Sequence, residues 1–181
     1  GSKAVADWLF VECRAPGNDK AVMSTCAVLL RRDGSVTTAA GDSVLYFWDL
    51  PEGDYYVAAR HRNHIGLMTD HVWYLNSEAP PMIDLRDPGT EVRGGATAGK
   101  LHQEKRTLWA SDFNGDGKVI YQGPFNDVFY LFSRVLADPG NAENLANYIT
   151  VGYHREDFNL DGRAIYQGPG NDIFFLFSKV L

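Results

Sequence analysis

Along the first thirty residues, apolar side chains recur at every second position: Leu9, Val11 and Cys13, then Cys26, Val28 and Leu30. That period belongs to an extended chain with one buried face. Pro16-Gly17-Asn18-Asp19 lies between the two runs and predicts a turn, hence a β-hairpin. A register pairing Leu9 with Leu30, Val11 with Val28 and Cys13 with Cys26 puts all six side chains on one face. It also sets Cys13 beside Cys26, either as a disulfide or as two small buried thiols. Further strands are predicted at 43–48, 54–62, 67–75 and 82–85, with Tyr55, Val57 and Ala59 pointing inward.

Past residue 125 the period lengthens. N-D-V-F-Y-L-F-S-R-V-L from Asn126 and N-D-I-F-F-L-F-S-K-V-L from Asn171 carry Phe and Leu at i, i+3 and i+4, the spacing of a helix face. Asn126 and Asn171 are the predicted N-caps. Asp138-Pro139-Gly140 breaks the chain between the helices, and 141–149 is predicted as a connecting helix. The two helical stretches end two copies of one unit. Residues 112–136 and 157–181, offset by 45, are identical at 18 of 25 positions.

Each copy opens with D-x-N-x-D-G, the first half of an EF-hand-type loop. Calcium is a hard cation that takes six to eight oxygens, and oxygens on alternate residues of a tight loop converge on one point. The first loop offers Asp112, Asn114 and Asp116, with Gly117 for the sharp turn and the Lys118 carbonyl at the seventh position. The second offers Asp157, Asn159 and Asp161, with Gly162 and the Arg163 carbonyl. The twelfth position, where a bidentate acid is expected, is Gly123 or Gly168. The nearest acids are Asp127 and Asp172, four residues on, so each loop is predicted to be extended by its Gly-Pro turn and closed by that aspartate. Gln122 and Gln167 are secondary ligand candidates. The six aspartates equal the net charge of −6, and such clustering is repulsive without a cation. Two Ca2+ sites are therefore expected.

This duplicated loop-plus-helix order resembles the dockerin domain, whose paired calcium half-hands lack the first EF helix. The longer Y-Q-G-P-x-N-D form is similar to repeats in large secreted surface proteins of Bacteroidota-type bacteria. There it follows a β-domain with a D-W-x-F-V-E segment and an R-H-R-N-H-x-G segment; here these run from Asp7 to Glu12 and from Arg60 to Gly66. The run from Leu50 to Val57 is similar to the L-P-x-G-x-Y-x-V edge of transthyretin-like and immunoglobulin-like sandwiches. The resemblance implies an α+β chain of two domains. An N-terminal antiparallel β-sandwich would span 1–86, a connection 87–110 and a dockerin-like calcium domain 111–181. It also implies an extracellular or cell-surface location. Cohesin binding does not carry over, because Tyr121-Gln122 and Tyr166-Gln167 replace the small polar residues of the dockerin recognition region.

Composition narrows the function. At 45% hydrophobic residues the chain can build a core, and its negative charge without a basic stripe argues against nucleic acid. No apolar run reaches membrane-span length, and no charged-then-apolar leader opens the sequence. Arg60-His61-Arg62-Asn63-His64 is the one basic cluster. It reads as an anion or sugar site, as a metal site if His61 and His64 converge with His71, or as a solvated strand end and turn. No nucleophile elbow is present, and both cysteines fall in strands, so no enzymatic activity is expected. Trp8, Trp48, Trp73 and Trp109 are candidates for glycan contact. Ser43, in Asp42-Ser43-Val44, resembles an O-glycosylation acceptor. The apolar helix at Phe174–Phe177 and the early first strand predict head-to-tail self-association into a fibre, filament or adhesin. The other reading is an accessory module that binds glycan or protein.

Overall fold

The computed structural model describes residues 1–179. It is mostly antiparallel β-sheet with two short helices. The strands are β1 (Val5–Ala15), β2 (Asn18–Arg31), β3 (Val36–Thr37), β4 (Gly53–His61), β5 (His64–Met68), β6 (Trp73–Leu75), β7 (Lys100–His102), β8 (Lys105–Thr107), β9 (Ile149–Val151) and β10 (Arg163–Ile165). The helices are α1 (Asp127–Leu136) and α2 (Asp172–Lys179). The chain divides into two compact units. The first is 1–61 with 66–108; the second is 62–65 with 109–181.

The first unit is built on one sheet of order β3-β2-β1-β4-β5, with β6 paired to β4 off that path. Alternation along β1 buries Leu9, Val11 and Cys13 and leaves Trp8 and Phe10 half exposed on the other face. Leu9, Val11, Val28 and Val57 form the core, and Tyr55 is buried as predicted. The core's cover differs from the two-sheet sandwich expected from sequence. Among the described residues no second sheet packs on this face; loop side chains Leu45, Phe47, Ile83 and Leu108 do so. Segment 43–48 keeps its alternation, with Leu45 and Phe47 inward and Tyr46 and Trp48 outward, yet pairs with no strand. Segment 82–85 behaves likewise, with Ile83 inward and Met82 exposed. The predicted strand 67–75 is divided where Thr69 turns inward, its Oγ1 accepting the Val57 N–H while its own N–H donates to the Val57 carbonyl.

Residues 87–108, expected as part of a connection, belong to the first unit. The cause is Arg106, which is 8% exposed. Its guanidinium donates to the carbonyls of Leu85, Asp87, Pro88 and Thr90 at 3.0–3.2 Å and winds that stretch around itself. A five-donor fork can satisfy four carbonyls at once.

The β1–β2 register is shifted by two from the predicted one: Leu9 faces Val28, Val11 faces Cys26 and Cys13 faces Ser24. The same side chains face the core, because a slip of two preserves the face. Bulges around Arg14, before the tight Ala15–Asn18 closure, absorb the difference. The cysteines are therefore diagonal neighbours, about 7–8 Å apart at Cα in such a ladder. Both are free thiols, which corrects the disulfide reading.

In the second unit, Asn126 caps α1 by accepting the Phe129 N–H at 2.8 Å, and Asn171 accepts the Phe174 N–H at 2.8 Å. α1 buries Asp127, Leu131 and Val135 along one stripe, where Phe113 and Ala164 complete the core. The connecting helix predicted at 141–149 is absent. Asn141 is buried, and its amide donates to the carbonyls of Val135 and Leu145 while its Oδ1 accepts the Leu145 N–H. That asparagine offers the backbone an alternative to helical bonding. The chain instead reaches β9, which pairs with β10 of the second loop.

Candidate metal centre

The two aspartate-rich loops carry the same hydrogen-bond network. In the first, Asp112 accepts the N–H groups of Asp116 (3.0 Å) and Gly117 (3.1 Å) on its two oxygens. In the second, Asp157 accepts those of Asp161 (3.1 Å) and Gly162 (3.0 Å). Asn114 and Asn159 each accept the N–H two residues ahead at 2.9 Å, as do Asp116 and Asp161. The closing acids do more than end the loops. Asp127 takes the N–H of Phe113 on one oxygen and of Ile120 on the other, at 2.8 and 2.7 Å. Asp172 takes Phe158 and Ile165, both at 2.8 Å. Each closing carboxylate thus staples the start of its loop to the segment after the glycine.

The backbone repeats as faithfully. Gly117 and Gly162 are left-handed at φ 79 and 84, which glycine tolerates freely. At two further positions the copies exchange the glycine. Gly115 (φ 75) answers Leu160 (φ 60), and Phe125 (φ 58) answers Gly170 (φ 70). Leu160 and Phe125 hold a conformation that costs an L-residue about 1–2 kcal/mol. The loop shape is imposed by the network rather than by local preference.

The electrostatics are those of crowded anions. Asp112, Asp127, Asp157 and Asp172 are all at most 5% exposed. Burial, followed by the charge of Asp157, pushes the Asp172 carboxyl up to about 6, against the downward pull of its backbone hydrogen bonds. Asp127 is raised for the same reasons, with Asp112 as its repelling neighbour. Among the described residues, only Asp157 of these four has an ion-pair partner, Arg62 at 3.6 Å. The donors are hard oxygens, the set that calcium takes. Among the described residues, no three His, Cys, Asp or Glu side chains already stand close enough together to hold a metal. Asp116 and Asp161 are exposed and turned onto the backbone two residues ahead. Asp112 with Asp127, and Asp157 with Asp172, are the buried pairs. In donor type and charge the residues are those a hard divalent cation takes, but only the two pairs are buried. Lys118 and Arg163, expected to offer carbonyls, have exposed side chains.

Among the described residues, His61, His64 and His71 do not come together as a metal-binding group. His61 pairs with Asp7 at 3.1 Å in the first unit, His71 with Glu91, and His64 Nδ1 lies 2.7 Å from Asn63 Oδ1. Nor is the basic cluster a solvated turn: Asn63 is fully buried. Its Nδ2 donates to the Asp157 carbonyl at 2.6 Å, and its own carbonyl accepts the N–H groups of Ser111 and Asp112 at 2.8 and 3.1 Å. Arg62 also covers the Tyr153 ring at 4.1 Å. Sequence reasoning missed Asn63 because nothing in R-H-R-N-H separates a buried asparagine from a solvated one. Ser43 lies exposed in a loop of the first unit.

No protein-family model matches the chain, and no curated protein or solved structure shows significant similarity to it.

Proposed function

We propose that this chain is a non-enzymatic, extracellular calcium-binding structural module of dockerin-like type, in which two ions bind the loops at 112–127 and 157–172. The observation that carries this reading is the twin network. Two loops of differing sequence hold buried, mutually repelling carboxylate pairs in one arrangement, matched bond for bond to within 0.1 Å. Asp112, Asn114, Asp116 and Asp127 would hold one ion, and Asp157, Asn159, Asp161 and Asp172 the other. The Lys118 and Arg163 carbonyls would complete the sets. A bound dication supplies the positive charge that relieves each carboxylate pair, so binding adds to folding free energy. The protein's own part is to hold the loops: Asp127 and Asp172 staple them, and α1 and α2 start at the staples.

Self-association into a surface fibre is the use we assign to this module. It is supported by apolar side chains left half exposed on the helices, Phe129, Phe174 and Phe177, and on the outer face of β1, Trp8 and Phe10. The alternative, an accessory module that binds glycan, has its own support. Trp48 is 89% exposed and stacks on Tyr46 with centroids 5.7 Å apart and planes 23° apart, an open aromatic platform.

Calorimetric titration of metal-free protein with calcium tests the first claim: two ions per chain are expected, and no heat at millimolar calcium refutes it. Electron microscopy of native material separates fibre from free module, and glycan binding by an isolated monomer would favour the alternative.

A further inference from the structure

The geometry points to Asn63 as a positioning residue that couples the two loops, so that cation binding at one favours binding at the other. This rests on the calcium reading above.

Asn63 touches the first aspartate of each loop through a different group. Its backbone carbonyl receives the N–H of Asp112, and of Ser111 before it. Its side-chain amide donates to the carbonyl of Asp157 at 2.6 Å. The remaining amide oxygen meets His64 Nδ1 at 2.7 Å, so the side chain cannot turn over without losing both bonds. The residue is fully buried, and water cannot substitute for the lost partners. The flanking backbone is fixed as well, for Ile65 donates to the Trp109 carbonyl at 2.8 Å and His64 forms a β-bridge with Ala110.

Coupling follows from shared ordering. A cation that fixes Asp112 fixes the backbone N–H on the Asn63 carbonyl, and so fixes Asn63. The Asp157 carbonyl then meets a donor already held in place, and the second ion has less conformational freedom to remove. The relation is reciprocal, as any equilibrium coupling between sites must be. Among the described residues no strand joins the loops directly, since β10 pairs with β9 and 118–120 pairs with nothing. The loops share packing through Phe113 and Ala164, and Asn63 adds a bond-by-bond bridge between the two first aspartates.

The test is calcium titration of the full chain by calorimetry. Wild type is expected to bind two ions with the second step about tenfold tighter than independent sites allow. Asn63→Ala is expected to bind two ions independently and more weakly. If wild type binds two ions independently, or if Asn63→Ala keeps the cooperativity, the coupling role is overturned while the calcium reading stands. If wild type binds none, the calcium reading itself is lost, and the coupling with it. A second measurement covers a variant that does not fold. In Asp116→Ala, with the first loop disabled, calcium is expected to slow amide exchange at Ser111 and Asp112, the two donors to the Asn63 carbonyl. Unchanged exchange there, with calcium bound at the second loop, overturns the proposal.

Discussion

Asp127 accepts the backbone N–H of Phe113, fourteen residues earlier in the chain, on the carboxylate oxygen that does not face Ile120. The acid at the head of α1 therefore holds its loop shut from the inside. Phe113 is only 3% exposed, so its N–H has no solvent to fall back on. Asp127→Ala is expected to destabilise the ion-free protein by about 2 kcal/mol and to abolish binding at the first loop. Urea unfolding in chelator and calcium calorimetry measure the two effects. A variant as stable as wild type would show that the staple is dispensable.

Arg62 and Asp157 invite a prediction of mixed sign. The arginine supplies the one counter-charge that a buried loop aspartate finds in this chain among the described residues. Arg62→Gln is expected to cost about 3 kcal/mol of ion-free stability, because Asp157 loses its cation. It should also tighten calcium binding at the second loop, because the dication no longer competes with a guanidinium. Thermal melts with and without calcium would show the two effects moving in opposite directions; weaker binding would contradict this.

Ion-free stability should depend on pH through Asp172. Its folded carboxyl is raised from 3.8 to about 6, so between those values the folded chain binds more protons than the unfolded one. Stability in chelator is therefore expected to fall as pH rises from about 4 to about 6. Asp127 acts in the same direction. Saturating calcium should remove the decline, since the ion favours the charged form. A chelator melting curve that climbs over this range would refute the assignment.

Phe125 offers a test of backbone strain. It is 75% exposed yet held at φ 58, where the second copy has Gly170. Phe125→Gly gives up little packing and is expected to gain about 0.5–1 kcal/mol, glycine's extra freedom in the unfolded chain offsetting part of the relief. Gly117→Ala should lose about 1 kcal/mol, because alanine is forced into the same region at φ 79.

The thiols can be counted. Burial, followed by the neighbouring Cys26, pushes Cys13 up to about 12, and burial also raises Cys26. Native protein at neutral pH is expected to react slowly with a thiol reagent, Cys26 before Cys13, and unfolded unreduced protein to show two thiols. A count of zero would restore the disulfide.

What the sequence revealed was what repeats or alternates. Leu9, Val11, Val28 and Val57 sit where a period of two places them, and Asn126 and Asn171 cap where the helical period begins. What it concealed depends on one side chain bonding to distant backbone. Arg106 gathers four carbonyls, Asn141 displaces a helix and Asn63 leaves solvent for the loops. No local pattern announces such bonds. The hairpin register failed for a related reason: bulges around Arg14 shift the pairing without altering which residues look apolar.

The second unit is discontinuous, taking 62–65 from the turn after β4 and the start of β5, and the rest from 109 onward. A gene fragment cut at residue 109 would encode both aspartate loops and neither Arg62 nor Asn63. The unit that carries the two aspartate loops is therefore not a cassette that recombination can lift out and graft elsewhere. It can be inherited or engineered intact only together with the strands that deliver those four residues.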